Sequence, residues 1–231
     1  MRKTTKVGVP ERGEPWSFVF RQSGGGKDLH IADGVLSAPV VGAAAVAAGG
    51  LLWYSARGLK AEDVPRISLL AGAFFVSSLL RVPIGVTSVH PVLLGLTGVF
   101  LRRRAPLAVF LGLLLQALLF QHGGLTTLGA NLLIMGLPSL LVGLAFPALR
   151  GVPPALRGAL GGGLAVVLAV ALLVFFLVLS AEYYYSGPFS LVYVLAAAYL
   201  PILLIEAALT GFAVRLLQQV RPELIGCGPR S

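Results

Sequence analysis

The feature that most limits what this chain can fold into is a series of stretches without a single charged residue, each long enough to cross a lipid bilayer. Residues 34–56, 82–101, 158–181 and 183–205 contain no Asp, Glu, Lys or Arg, and 105–149 contains none over about twice that length. A spanning helix needs about 20 mostly apolar residues at 1.5 Å rise each. The long stretch 105–149 therefore holds two spans, parted by the polar turn Gln121-His122-Gly123-Gly124. The apolar run 67–80 is shorter and reaches spanning length only by taking in Arg81 and the bend at Pro83. Composition agrees: 12% of residues are charged, against about a quarter in a soluble domain, and mean hydropathy is +0.89. The pattern predicts an all-α membrane protein, a polytopic bundle of about seven transmembrane helices near 35–56, 66–82, 90–102, 106–120, 125–148, 157–181 and 190–217. The third and fourth are short.

Net charge is +9, but the basic residues form short clusters between apolar runs, which fits loops flanking membrane spans rather than a nucleic-acid surface. Arg57, Lys60, Arg66, Arg102, Arg103, Arg104, Arg150, Arg157, Arg215, Arg221 and Arg230 fall on the C-terminal side of the bundle, and the opposite loops hold Arg81 alone. The C-terminus is expected to be cytoplasmic. Residues 1–28 weaken the asymmetry by adding Arg2, Lys3, Lys6, Arg12, Arg21 and Lys27 to the outer side. That segment has no apolar core of signal-peptide length. It reads as a flexible basic extension (1–28) joined by Gly24-Gly25-Gly26, ahead of a transmembrane domain (29–225) and a short cytoplasmic tail (226–231). The single Cys227 excludes a disulfide framework. No GxxxxGK[ST] phosphate loop occurs, so any ATPase driving transport would be a separate chain.

The three histidines, His30, His90 and His122, all fall on the outer side of this layout. Neutral imidazole is a common ligand for transition metals near pH 7, and polar groups at membrane depth face protein or water. Their sequence contexts are specific. His30-Ile31-Ala32-Asp33-Gly34-Val35-Leu36-Ser37, Pro83-Ile84-Gly85-Val86-Thr87-Ser88-Val89-His90, the run from Gln116 through Gln121-His122-Gly123-Gly124-Leu125-Thr126-Thr127-Leu128-Gly129-Ala130-Asn131, and Glu206-Ala207-Ala208-Leu209-Thr210 before Arg221-Pro222-Glu223 occur in that order. Together they resemble the CbiM/NikM family, the substrate-binding membrane subunits of energy-coupling-factor importers for cobalt and nickel. The resemblance covers about residues 29–225 and implies a multi-pass protein of a bacterial or archaeal inner membrane. It implies capture of Co(II) or Ni(II) on the outer face for cobalamin synthesis or nickel enzymes. Its implied partners are ATPase subunits, a transmembrane coupling (T) subunit and, in some systems, a small accessory membrane subunit.

The resemblance also implies a ligand set. A histidine in second place offers its imidazole, its own amide nitrogen and the preceding terminal amine in adjoining chelate rings, and a second histidine completes four nitrogens, a geometry suited to Ni(II). His30 and His90 map onto those roles, with Ser88, Gln116, His122 and Asn131 as supporting residues. Here, however, Leu29 occupies the place of the initiating methionine, and its nitrogen is in a peptide bond with Asp28. Three arrangements stay open: the extension is removed to expose Leu29, translation starts later, or His122 or Asp33 stands in for the amine. The expectation is a functional form that begins at or near Leu29. Asp33, before Gly34 and an apolar run, equally fits a helix N-cap.

Four further features carry expectations. Glu206 is the one acid well inside an apolar run, which marks either a functional site or a carboxyl hydrogen-bonded between helices near Thr210. Ala43/Ala47 and Ala44/Ala48 permit close helix approach, to a partner or within the chain. Arg102-Arg103-Arg104 fits a topology anchor facing anionic lipid or a docking point for a partner, and Tyr183-Tyr184-Tyr185 an interfacial belt. The alternative class is a membrane-embedded metalloenzyme with three histidines around zinc or iron. The HExxH pairing is missing, and no acidic ring supports a channel.

Overall fold

The computed structural model describes residues 30–80, 82–84, 87–180 and 188–222, without the side chains of 82–89 and 188–198. The extension 1–28, Leu29, Arg81, Tyr183-Tyr184-Tyr185 and the tail 226–231 lie outside the described residues. The chain forms α1 (Ala38–Ala56), α2 (Val64–Ser77), a short hairpin of β1 (Val82–Ile84) and β2 (Thr87–Val89), then α3 (Leu94–Leu101), α4 (Ala105–Phe120), α5 (Leu128–Ala145), α6 (Pro154–Ser180) and α7 (Pro188–Val220). Proline stands in the first turn of α1, α2 and α4, where its fixed φ suits a helix start and its missing N–H costs nothing.

Five helical segments among the described residues are long and apolar enough to span a membrane, the second being Leu94–Phe120 taken as one. A straight helix of that length would measure about 40 Å. Yet His90 and His122, which flank it, have ring centroids 6.2 Å apart. The segment therefore doubles back at Arg102, where φ is 46°, and α3 and α4 descend and return as a hairpin.

Two sequence expectations need correction. The second helix stops at Ser77 rather than continuing to 82. There the hydroxyls of Ser77 and Ser78 donate to the carbonyls of Phe74 and Phe75 at 2.8 and 2.6 Å, competing with continuation of the backbone ladder. The third helix starts at Leu94, not 90. Pro91 follows His90, and Leu93 sits in the left-handed region at φ 56°, so His90–Leu93 forms a non-helical entry.

Two arginines of the cluster bind the chain itself. Arg103 donates twice to the Tyr54 carbonyl. Arg104 donates to the carbonyls of Ser55, Arg57 and Gly58 and meets the Asp63 carboxylate at 3.3 Å. The last carbonyls of α1 lack helical partners and carry negative partial charge, so these two side chains cap α1 from the α3–α4 turn. Ala44 and Ala48 are buried within the chain, where α1 crosses the start of α5 at Gly129; a Cβ there would lie 2.8 Å from Ala45 Cα.

Candidate metal centre

The three histidines come from three separate connections. His30 precedes α1, His90 lies in the entry to α3, and His122 follows α4 in the turn to α5. They converge: each offers a ring nitrogen, and these nitrogens all lie within 4.8 Å of one another. His30 and His90 are buried and His122 is half-buried. Nitrogens bound to a single ion at about 2.0–2.1 Å sit roughly 3–4 Å apart, so an inward movement of the rings by about 1 Å would close the set on one ion. Among the described residues no carboxylate joins this group.

Each histidine has a local means of placement. His90 Nδ1 donates to the Pro91 carbonyl at 3.3 Å. A carbonyl oxygen only accepts, so that bond selects the tautomer whose lone pair is on Nε2. His122 is set by the end of α4: the buried Gln116 sends its carbonyl to the N–H groups of Gln121 and His122. Gln121 takes φ 53° and Gly123 φ 78°, a reversal that suits glycine at the second position. Gln116 thus acts on His122 through its main chain, and among the described residues its own Oε1 has no hydrogen-bond partner.

His30 is held through its neighbours. Ile31 donates to Asn131 Oδ1 at 2.7 Å, and its carbonyl receives Asn131 Nδ2 at 2.9 Å and the Thr127 hydroxyl at 2.7 Å. Asn131 therefore clamps the backbone beside His30. Asp33 is neither the N-cap of α1 nor a member of the histidine group. The N-cap position is Ser37. Asp33 Oδ1 instead accepts from Thr126 N at 3.0 Å, Thr127 N at 3.2 Å and the Thr126 hydroxyl, capping the start of α5 from the other side of the site. Gly124 leaves room for this latch, since a Cβ there would lie 1.9 Å from Asp33 Oδ1. Ser88 lies on β2, and its side chain is outside the described residues.

Burial pushes the Asp33 carboxyl up, but the Thr126 hydroxyl and the N–H groups of Thr127 and Thr126 outweigh it and hold the group below its ordinary 3.8. A lowered carboxyl favours the ionised form in the folded chain. The latch is therefore at full strength above the ordinary carboxylate range and weakens as pH falls through the lowered value. Asp33→Asn should lower the melting temperature at pH 7, and the difference from the native chain should shrink as pH falls below 3.8. Thermal unfolding across pH 2.5–7 in detergent checks this; a difference independent of pH would contradict the latch.

This assembly can be compared with known proteins. Residues 30–224 match the family described as the CbiM cobalt uptake substrate-specific transmembrane region. The chain belongs to the CbiM family. A Haemophilus influenzae protein named for metal transport is 32% identical over 202 residues, covering 85% of this chain and 97% of that protein. The cobalt transport protein CbiM of Geobacter sulfurreducens is 32% identical over 238 residues, covering 87% of this chain and 66% of the relative. A solved structure described as a transition metal transporter superposes with TM-score 0.68 at 23% identity, over 86% of this chain and 96% of that one; at that identity the likeness concerns the fold. The chain is thus a membrane protein of a cobalt and nickel transport family rather than an enzyme.

Glu206 is the acid for which the sequence left two readings open, a functional site or a carboxyl hydrogen-bonded between helices near Thr210. It is fully buried, and its Oε1 accepts from Val92 N at 2.6 Å and from Leu93 N. It is hydrogen-bonded between helices, but to the backbone at the start of α3 and not to Thr210. A strongly apolar context was the only signal; the partner lies 114 positions away.

Proposed function

We propose that this chain is the metal-capturing subunit of a multi-component importer of the energy-coupling-factor kind, with Co(II) or Ni(II) as its substrate and His30, His90 and His122 as nitrogen ligands. The observation that carries this reading is the convergence of three imidazoles from three loops at one end of the bundle. The opposite end gathers Arg57, Arg103 and Arg104, and the 16 residues of α4 separate the two, about 24 Å. The positive-inside rule makes the arginine end and the C-terminus cytoplasmic, so the histidines face outward across the cell's inner membrane. Three neutral nitrogens suit a borderline divalent ion, and nitrogen sites favour Ni(II) over Co(II) in affinity. Selection between the two then rests on supply and on partner chains. Open positions beyond three nitrogens can be taken by water or by a Leu29 amine.

ATPase subunits and a T subunit would supply the energy, and the metal would serve cobalamin synthesis or nickel enzymes. Reconstituted alone in liposomes with ATP inside, the chain should bind radioactive Ni(II) without concentrating it. Co-reconstitution with the ATPase and T subunits should give ATP-dependent accumulation. Pumping by the single chain would overturn the reading.

A further inference from the structure

Glu206, the one acid deep in the bundle among the described residues, does something that a local helix cap could not. Helix α3 has no side-chain cap of its own, because its N-cap residue is Leu93 in the left-handed region. Its first N–H groups would be buried and unsatisfied, at a cost comparable to a lost hydrogen bond each. A Ser or Asp at position 93 would accept only from N–H groups two or three residues into the helix and would leave those of Val92 and Leu93 unmet. The chain instead brings Glu206 from the middle of α7, and its Oε1 accepts from both Val92 and Leu93. These two residues lie immediately behind His90-Pro91. The surrounding helices pack closely here. A Cβ on Gly162 of α6 would lie 2.4 Å from the Glu206 carbonyl, and one on Gly95 of α3 would lie 2.4 Å from Gly162 Cα. Three helices thus meet backbone to backbone around the carboxyl. Among the described residues, Glu206 Oε2 and Thr210 Oγ1 are buried there with no hydrogen-bond partner.

We propose that Glu206 is a positioning residue for the metal ligand His90: it pins the entry of α3 to α7, so that the His90 imidazole reaches the other two histidines. This rests on the metal-centre reading above. It makes α7 the element whose displacement would carry His90 out of the cluster, and so the mechanical link between the bundle interior and the site.

The test uses the full-length chain in detergent, with Co(II) alone as the probe, reading both affinity and the ligand-field absorption bands. Glu206→Ala should weaken Co(II) binding at least tenfold and change the band shape. Glu206→Gln keeps a carbonyl oxygen that accepts from both N–H groups and should stay within threefold of the native chain with a native spectrum. Glu206→Asp retracts the acceptor by one methylene and should alter the spectrum while retaining charge, which gives a reading even where the Ala variant does not fold. A purely structural role would lower thermal stability and leave the spectrum of the folded fraction native. Native affinity and spectrum in a folded Ala or Asp variant would overturn the positioning role. So would a Gln variant as impaired as Ala, because the charge and not the acceptor would then matter. His90→Ala run in parallel separates the two levels: undiminished Co(II) binding there sinks the metal centre itself, whatever Glu206 does.

Discussion

Replacing His90 with alanine should abolish measurable Ni(II) or Co(II) binding, a loss of more than about a hundredfold, since even outer-sphere partners of metal ligands are worth 10–100-fold. The reason is geometric. His30 and His122 have ring centroids 5.0 Å apart, while His90 stands 6.2 Å from each and closes the third side. Without it, two imidazoles remain on one side of an ion, with no carboxylate in the group among the described residues to replace the third. Fold should survive, because the Val92 and Leu93 contacts to Glu206 are made by backbone and persist in the variant. Isothermal calorimetry on the purified variant, with its melting temperature alongside, measures both. Unchanged affinity in a folded variant would place the metal elsewhere.

The second large effect is structural. Adding a single methyl group at Gly98 should collapse the yield of folded protein. A Cβ there would lie 2.2 Å from the Ser139 carbonyl oxygen and 3.2 Å from Ser139 Cα, and a Cβ on the facing Gly143 would lie 2.2 Å from the Gly98 carbonyl. These obstacles are backbone atoms, which cannot rotate away as a side chain can. In a bilayer, helices associate largely through close packing of small residues, so forcing α3 off α5 removes the contact rather than loosening it. The expected cost for Gly98→Ala is about 3 kcal/mol or more, at the upper end for overpacked sites. Because α3 carries His90 at its entry, residual folded protein should also bind metal poorly. Size-exclusion profile and thermal unfolding of Gly98→Ala against the native chain decide it; a monodisperse variant with native stability would contradict the close crossing.

Much of the helical layout was legible because a charge-free stretch of spanning length has few alternatives in lipid, where every backbone group must be satisfied internally. The early end of α2 and the late start of α3 were not legible. Both depend on choices among nearly equivalent backbone conformations, such as serine hydroxyls bonding back to Phe74 and Phe75 and Leu93 turning left-handed. The doubling back at Arg102 was foreshadowed by three consecutive arginines, although their capping of α1 was not, since hydrogen bonds across 46 to 49 positions leave no periodic trace. At the site, His30, His90 and His122 stood out by scarcity and common side. Asp33 was visible as polar punctuation before a helix, but a carboxyl in a loop fits a local cap and a distant latch equally well. Only the fold, by bringing Thr126 and Thr127 alongside, distinguishes them. Asn131 likewise carries no sign in the sequence that it grips the backbone of Ile31.

X-ray absorption at the nickel edge on the Ni(II)-loaded full-length chain tests the central claim most directly, because multiple scattering from imidazole rings counts histidine ligands. Three histidines within reach of one ion predict three imidazoles in the native spectrum and loss of the bound nickel in His122→Ala. A spectrum with one imidazole or none, or one unchanged by replacing His122, would contradict a centre built from His30, His90 and His122.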